Sequence, residues 1–440
     1  MKRCIQIIVV TTLLISKFIN AQNITNTLGT GGIFKVKDES TSYLSLNQVN
    51  GLVSLNNCLT IPYTTSSSFG VIYKGTERFI HNYFASGTVG NNTFVGINSG
   101  NFSMGGGQYE AINNTAVGTS SLNSLTTGHG NSAFGSGTLF RNSGGYYNSA
   151  FGLSAMFYNQ TGIGNSAFGY QALEFNTSGL NNCAFGGLAV FSNSTGKENS
   201  AVGFQALFSN NSDYNTAFGA YSLYSNTSGY SNSAFGWNTL RNSLGIGNTS
   251  LGNESFYSLT NGDFNTAVGY FSGHDISSGS NNIIIGYNAQ VPNSTGSNQV
   301  RLGNAAITYA GIQVAWTVTS DRRWKENIKP SNLGLNFITQ LNPVSYTRKN
   351  DEAQKTEYGL IAQDVEEVLK ADGIENTGML NVTDEGMYEL RYNDLIAPII
   401  KAIQELKKEN DELVDRIKIL EQKLNEENSN QNVVRFSKNN

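Results

Sequence analysis

The stretch TSDRRWKENIKP, residues 319–330, places a serine five residues ahead of a lysine, with an aspartate, two arginines and a tryptophan between them. That pairing can do acyl chemistry. A serine hydroxyl is a weak nucleophile at its free pKa and needs a base, and a lysine serves as one when desolvation brings its pKa toward neutrality. Histidine cannot take that role in this part of the chain: His81, His129 and His274 all lie upstream, which excludes a local Ser-His-Asp triad. Five residues turn a helix by about 500°, leaving Ser320 and Lys325 about 140° apart, and on a strand an odd spacing sends them to opposite faces. Either the chain bends between them, or the lysine comes from a neighbouring copy. Alone, such a pair means little, because serines near lysines occur by chance in most proteins.

What lies on either side gives it context. From residue 91 to 300 there are 3 Lys/Arg and 7 Asp/Glu, whereas from 320 to 440 there are 17 and 22, so a boundary falls near 300–320. The formal net charge of −4 gives no reason to expect nucleic acid or an anionic membrane as partner. The opening MKRCIQIIVVTTLLISKFINAQ has a basic start, an apolar stretch from Ile5 to Ile15 and a small residue, Ala21, where a signal peptidase could cut. Residues 1–21 therefore read as a secretory signal, and the protein is expected at the cell surface or secreted. No segment has the roughly 20 apolar residues of a membrane-spanning helix. With Cys4 leaving in the signal, Cys58 and Cys183 are the remaining thiols, too few for a disulfide framework.

Upstream of the charged part, the motif N-[ST]-A-[FV]-G recurs with its asparagine at Asn114, Asn131, Asn148, Asn165, Asn182, Asn199, Asn215, Asn232, Asn248 and Asn265, in steps of 16 or 17. A fixed period of this length signals a solenoid whose coils bury their apolar sides only against one another. Short apolar runs closed by glycine predict two short strands and two turns per coil. Phe134, Phe151, Phe168, Phe185, Val202, Phe218, Phe235 and Val268 are expected to stack inside, the asparagines to form a second ladder, and the following glycines to adopt positive φ. The alanine beside each aromatic then points the other way, and a row of small residues suits close packing of chains into a trimer; a monomeric shaft is the alternative. The repeats resemble the heads of trimeric autotransporter adhesins, left-handed β-rolls that trimerise, with a longer period. Calcium-binding nonapeptide repeats fit poorly, since they need an aspartate in every turn, and no metal or cofactor is expected. Residues 22–90 alternate polar and apolar around glycines, as a β-rich cap would, with His81 a surface or packing residue. Tyr146, Tyr147, Tyr170, Tyr221, Tyr224 and Tyr230 could offer a face to cell-surface or environmental glycans, or simply pack.

Beyond the serine come LNFITQLNPVSYTRK, TEYGLIAQDVEEVL and ELRYNDLIAPIIKAIQELKKENDEL. Over about 100 residues these resemble the intramolecular chaperone auto-processing domain at the carboxyl end of endosialidase tailspikes and tail-fibre-like proteins. The resemblance rests on Ser320, Asp321, Arg322, Lys325, Asn327 and Ile328; on Gly359, Ile361, Ala362, Gln363 and Val365; and on Tyr392 with Leu395 leading into a terminal helix. It implies that the domain helps three chains fold together and then cuts itself off, with Ser320 as nucleophile, Lys325 as base and Thr319-Ser320 as the bond broken. Asp321, Arg322, Asn327 and Gln363 would orient the pair or supply an oxyanion donor, although Asp321 and Arg322 fit an ordinary surface ion pair equally well. Trp324 and Ile328 read as packing residues.

The helix that follows carries apolar residues at Ile399, Ile403, Leu406, Leu413, Ile417, Leu420 and Leu424, with Asn410 in the vacant seam place. This heptad predicts a coiled coil. Isoleucine and leucine at alternating seam positions with one asparagine favour two strands, while the resemblance implies three. The fold class is thus mainly β: a 17-residue-repeat β-solenoid shaft, trimeric, then a small α+β chaperone domain and a coiled coil. Its parts are a signal at 1–21, cap at 22–90, repeats at 91–300, linker at 301–319, chaperone at 320–396, coil at 397–427 and disordered tail at 428–440. The functional expectation is a secreted trimeric fibre or adhesin that severs its own chaperone once per chain. The alternatives are a structural adhesin that stays whole and a carbohydrate-degrading spike. For the last, the shaft offers only Glu110, Glu174, Glu198, Asp213, Glu254, Asp263 and Asp275 as acids.

Overall fold

The computed structural model describes residues 33–37, 42–47, 53–55 and 59–437. The expected leader at 1–21 and Cys58 lie outside them. Two compact units are present, one spanning Met1–Tyr63 with Ser68–Gly70 and one spanning Thr64–Ser67 with Val71–Asn440. In the first, β1 (Ile33–Lys37), β2 (Ser42–Asn47) and β3 (Val53–Leu55) form an antiparallel sheet.

The second unit opens with a hairpin, β4 (Ile72–Lys74) and β5 (Glu77–His81), whose second strand pairs antiparallel with β6 (Thr93–Val95). From β6 onward every pairing is parallel, coil upon coil, to the last strand at Val300–Leu302. His81 ties the hairpin to the first coil. It is buried, burial pushes its pKa down to about 4, and the neutral ring donates from Nε2 to the Ser99 carbonyl at 2.8 Å while Nδ1 accepts from Tyr83 N–H. It is therefore a packing residue.

Each coil holds one strand of three residues, such as Ser166–Phe168, rather than the two short strands expected, and the rest of the coil is turn. Alternation along so short a strand fixes what is inside. Asn165 and Ala167 share the inner face, Ser166 and Phe168 the outer one. The expectation that the aromatics stack inside and the alanines face other chains is thus reversed. Ala133, Ala150, Ala167, Ala184 and Ala201 are wholly buried, whereas Phe185, Phe218 and Phe235 are exposed. The physical reason is alternation: with Asn165 held inside by its hydrogen bonds, a period of two puts Ala167 inside beside Ala172 and Leu173 and turns Phe168 out. The rings stack outside instead, Phe151 on Phe168 and Phe168 on Phe185 at 4.6 Å between centroids.

The asparagine ladder forms as expected and saturates its hydrogen bonds. Asn165 Nδ2 donates to Asn148 Oδ1 (3.1 Å) and to the Gly179 carbonyl (2.8 Å), and its backbone N–H donates to the same Oδ1 (3.0 Å). A further ladder, Asn142 to Asn159 to Asn176 to Asn193, runs through what the sequence presented only as loop. Buried amides paired from coil to coil fix the register, because one slipped coil would orphan several polar groups; the second ladder ends at Asn193, whose buried Oδ1 has no partner among the described residues. Coiling so tightly also requires left-handed backbone at residues with side chains, including Gln171, Leu173 and even the β-branched Val190.

The glycines closing the strands do adopt positive φ, for example 146° at Gly169, and their backbones approach closely enough that a Cβ there would lie 2.5 Å from the Gly186 carbonyl oxygen. Gly169→Ala is expected to lower stability by about 3 kcal/mol, combining backbone strain with overpacking. A shift of the denaturant midpoint of the full chain, against a Ser166→Ala control, measures it.

After the shaft, residues 303–319 carry no strand. The carboxyl-terminal part contains α1 (Leu335–Gln340), the hairpin Val344–Tyr346 with Glu357–Gly359, α2 (Ala362–Ala371), the hairpin Leu380–Val382 with Tyr388–Leu390, and α3 (Ile396–Ser437). Its core is Phe337, Val365, Leu369, Met379 and Leu395, with Val365 and Leu369 facing inward as their helical spacing requires. Helix α3 continues through residues 428–437, where the sequence suggested a frayed tail. All seven seam residues of α3, from Ile399 to Leu424, are exposed in the single chain. No described helix is long and apolar enough to cross a membrane.

Candidate functional site

Between Ser320 and Lys325 the chain bends through a single turn of 3-10 helix, Arg322–Trp324, one of the two options the spacing left open. Asp321 caps it, its Oδ1 accepting from Arg323 N–H at 2.8 Å, and Lys325 N–H closes it on the Arg322 carbonyl at 3.1 Å. Because Lys325 leaves this turn in extended backbone, its side chain folds back over it. Lys325 Nζ donates to Ser320 Oγ at 2.6 Å within one chain.

Asp321 is committed elsewhere. Its carboxylate receives Arg323 Nε (3.1 and 3.2 Å) and Nη2 (2.7 Å), and the guanidinium holds its pKa below the usual carboxylate range. The ion pair in this turn is therefore Asp321 with Arg323, not with Arg322. The general preference for aspartate at an N-cap was the signal that could have found this role. Arg322 and Asn327 are exposed, the latter at φ 51°, and Gln363 is exposed in the first turn of α2. Among the described residues no hydrogen bond joins any of these to the dyad.

Water surrounds the pair in the single chain. Ser320 and Lys325 are both exposed, and so are the apolar residues beside them: Trp316 at 75%, Trp324 at 83%, with Val314, Val318 and Ile328. Trp324 and Ile328 thus do not pack within the chain, contrary to what their types suggested. The segment IQVAWTV, residues 312–318, alternates apolar and small or polar residues as a strand would, yet has no strand partner here.

The rest of the module is a scaffold that spaces this turn from α3. Glu405 of α3 accepts from the first amide of α1, Leu335 N–H, at 2.7 Å, so the long helix caps the short one. Tyr392 Oη accepts from Leu360 N–H at 2.9 Å, and a Cβ at Gly359 would collide with that hydroxyl. Gly359 and Tyr392, far apart in sequence, are thus two halves of one contact. Residues 320–374 match the chaperone-of-endosialidase family, peptidase S74. The matched segment starts at Ser320 itself and takes in the turn, α1, the first hairpin and α2. No curated protein and no solved structure matches the chain. A chaperone-of-endosialidase module behind a β-solenoid fits a tail-fibre-like or adhesin-like protein, and the family points to oligomerisation.

The module also grips the last coils of the shaft. Arg301 Nη1 meets Glu389 Oε1 at 3.1 Å, Ser294 N–H donates to Asp384 Oδ2 at 2.7 Å, and Asp384 N–H donates to the Pro292 carbonyl at 2.7 Å. Ser294 N–H holds the Asp384 carboxyl below the ordinary range. In the shaft itself, Asp213 and Asp263 accept from the backbone N–H groups of Lys197 and Ile246, one coil away, so these acids hold coils together. Glu174 is buried, which pushes its pKa up.

Proposed function

We propose that the chain is exported and assembles as a homotrimeric fibre, and that its carboxyl-terminal chaperone then severs itself between Thr319 and Ser320. The 2.6 Å contact of Lys325 Nζ with Ser320 Oγ, at the first residue of the family match, carries this reading. A neutral Lys325 takes the Ser320 hydroxyl proton as Oγ attacks the Thr319 carbonyl carbon through a five-membered ring. The C–N bond breaks, the proton passes to the departing Ser320 amine, and an ester joins Thr319 to Oγ. Water then hydrolyses the ester, leaving a carboxylate on Thr319 and a free amino terminus at Ser320.

Ser320 and Lys325 both lie open to solvent in the single chain, so the pair needs cover. The exposed residues Val314, Trp316, Val318 and Trp324 would be buried by partner chains, and their burial would exclude water from Lys325. The exposed seam of α3 and the outer Phe row of the shaft offer two further surfaces for the same assembly. It is the phenylalanine row, not the alanine row, that faces other chains in this reading. Mass measurement and amino-terminal sequencing test it. A fragment of about 120 residues starting Ser-Asp-Arg supports the reading, and an assembled protein that stays at full mass overturns the cut.

The contacts between module and shaft favour one refinement: the severed module stays seated at first. Fragment and shaft are expected to elute together in low salt and to separate near about 1 M salt, where the Debye length is about 3 Å. The Asp384 contact is at full strength above the carboxylate range and is lost as pH falls through it, because its folded-state pKa is the lowered one. Glu389→Gln with Asp384→Asn should therefore release the fragment in low salt at pH 7, as seen by size-exclusion chromatography.

A further inference from the structure

Two side chains of β5 fasten the opening hairpin to the first coil, and both reach for the same stretch of backbone. Arg78 Nη2 donates to the Asn98 carbonyl at 3.1 Å and to that of Gly100, with the guanidinium carbon 5.4 Å from the centre of the Phe102 ring. His81 Nε2 donates to the Ser99 carbonyl between them at 2.8 Å. The imidazole lies 4.8 Å, centre to centre, from the wholly buried Phe94 and 4.8 Å from Phe102. Its other nitrogen is also spent, since Nδ1 accepts from Tyr83 N–H at 3.3 Å. Only the neutral ring fits this arrangement. A proton on Nδ1 would set one N–H against another and leave a cation between two phenyl rings in a residue only 4% exposed.

No nearby group offsets that charge. The charged group acting on the ring is Arg78 of the same strand, which repels a second cation, while Glu77 of β5 and Tyr73 of β4 act on Arg78. From β6 and the first coil the ring faces Phe94, Ser99 and Phe102, none of them charged. Among the described residues no carboxylate bonds to it. The coils behind respond to acid differently. The asparagine ladders that join them do not titrate, and burial raises the pKa of Glu174, whose Oε2 has no hydrogen bond among the described residues, so that its coil gains stability as pH falls. We infer that His81 is an acid-released latch: protonation of its ring lifts the β4–β5 hairpin off the first coil while the coils behind stay wound. Strand β6, covered by β5 at neutral pH, is then left as a bare edge open to another strand. This goes beyond the self-severing reading and does not depend on it.

The seated ring takes its proton at about 4 and a released one near the ordinary 6.5, so the released state binds more protons between these values. The latch is therefore at full strength above pH 6.5 and is lost as pH falls to about 4. Native-state hydrogen exchange on the full Ser320→Ala chain, read as protection factors, tests it. Gly96 and Asn98 donate to the β5 carbonyls of Phe79 and Arg78, whereas Gly169 donates to Phe151 deep in the shaft. From pH 7.5 to pH 4, protection at Gly96 and Asn98 is expected to fall about 10²-fold and to return on neutralisation, with Gly169 changing less than about threefold. His81→Gln keeps a donor for the Ser99 carbonyl and takes no proton, so its hairpin should be equally protected at both pH values. His129→Gln with His274→Gln should respond as wild type does. Should His81→Gln not seat the hairpin at any pH, NMR of isotope-labelled histidine rings in the unaltered hairpin decides, because protonation of His81 has to coincide with the loss of protection. The latch is overturned if Gly96 and Asn98 stay protected at pH 4, or if Gly169 loses as much as they do. It is also overturned if a seated His81→Gln hairpin still opens in acid, or if the His81 ring titrates near 6.5 with the hairpin in place.

Discussion

Ser320→Ala is expected to leave every chain at full mass in an assembled fibre, a loss of cutting of at least about 10³-fold. The variant removes the attacking atom and little else, because the side chain is exposed and its one polar contact is Lys325. Lys325→Met should do the same by removing the base, while Lys325→Arg should fail too, since a guanidinium does not give up its proton. Ser320→Cys should still cut, because a thiol reaches the same carbonyl through a ring of the same size. Hydroxylamine added during maturation should intercept the ester and leave a hydroxamate on Thr319, which mass spectrometry distinguishes from a carboxylate. Mixing Ser320→Ala chains with Lys325→Ala chains asks which lysine serves which serine. The pair meets across one 3-10 turn, so mixed assemblies should stay uncut. Any restored cleavage would mean that the working lysine reaches in from another chain.

How far the sequence carried toward this site depended on the kind of constraint involved. The spacing of Ser320 and Lys325 ruled out helix and strand and left either a bend or a lysine from a neighbouring copy, and within the chain there is a bend. What spacing could not supply was its agent: Asp321 as cap, with Arg323 rather than Arg322 locking it. The repeat announced the solenoid, its asparagine ladder and its glycine bends, because each is written once per coil. The inside and outside of the coil were misassigned because hydrophobicity was followed ahead of alternation. Once Asn165 is placed inside, a period of two puts Ala167 there and turns Phe168 out. The left-handed backbone at Leu173 and Val190 was illegible, since neither residue type advertises it. Contacts such as Glu405 to Leu335 and Arg301 to Glu389 join distant segments, and nothing local encodes them.

Cutting should fail if three chains cannot meet, even with Ser320 and Lys325 untouched. Leu413→Asp with Ile417→Asp would set charges into adjacent turns of the α3 seam. Each chain then forgoes burial of two side chains worth about 1.5–3 kcal/mol apiece and takes on carboxylates that repel their counterparts. The expected product is monomeric and uncut, with the helical content of α3 reduced because an unpartnered amphipathic helix loses its packing. Trp316→Asp with Val318→Asp separates coverage from assembly: the seam remains, so trimers should form, yet the dyad stays wet and cutting should slow by about 10²-fold or more. Size-exclusion chromatography and a time course of fragment release read both quantities from one preparation. Were the seam variant to cut at the wild-type rate as a monomer, the chain alone would suffice to activate Lys325. The exposed tryptophans around it would then need another explanation. Were the linker variant to cut normally within a trimer, water at the dyad would be no obstacle, and the link between assembly and severing would rest on something other than desolvation.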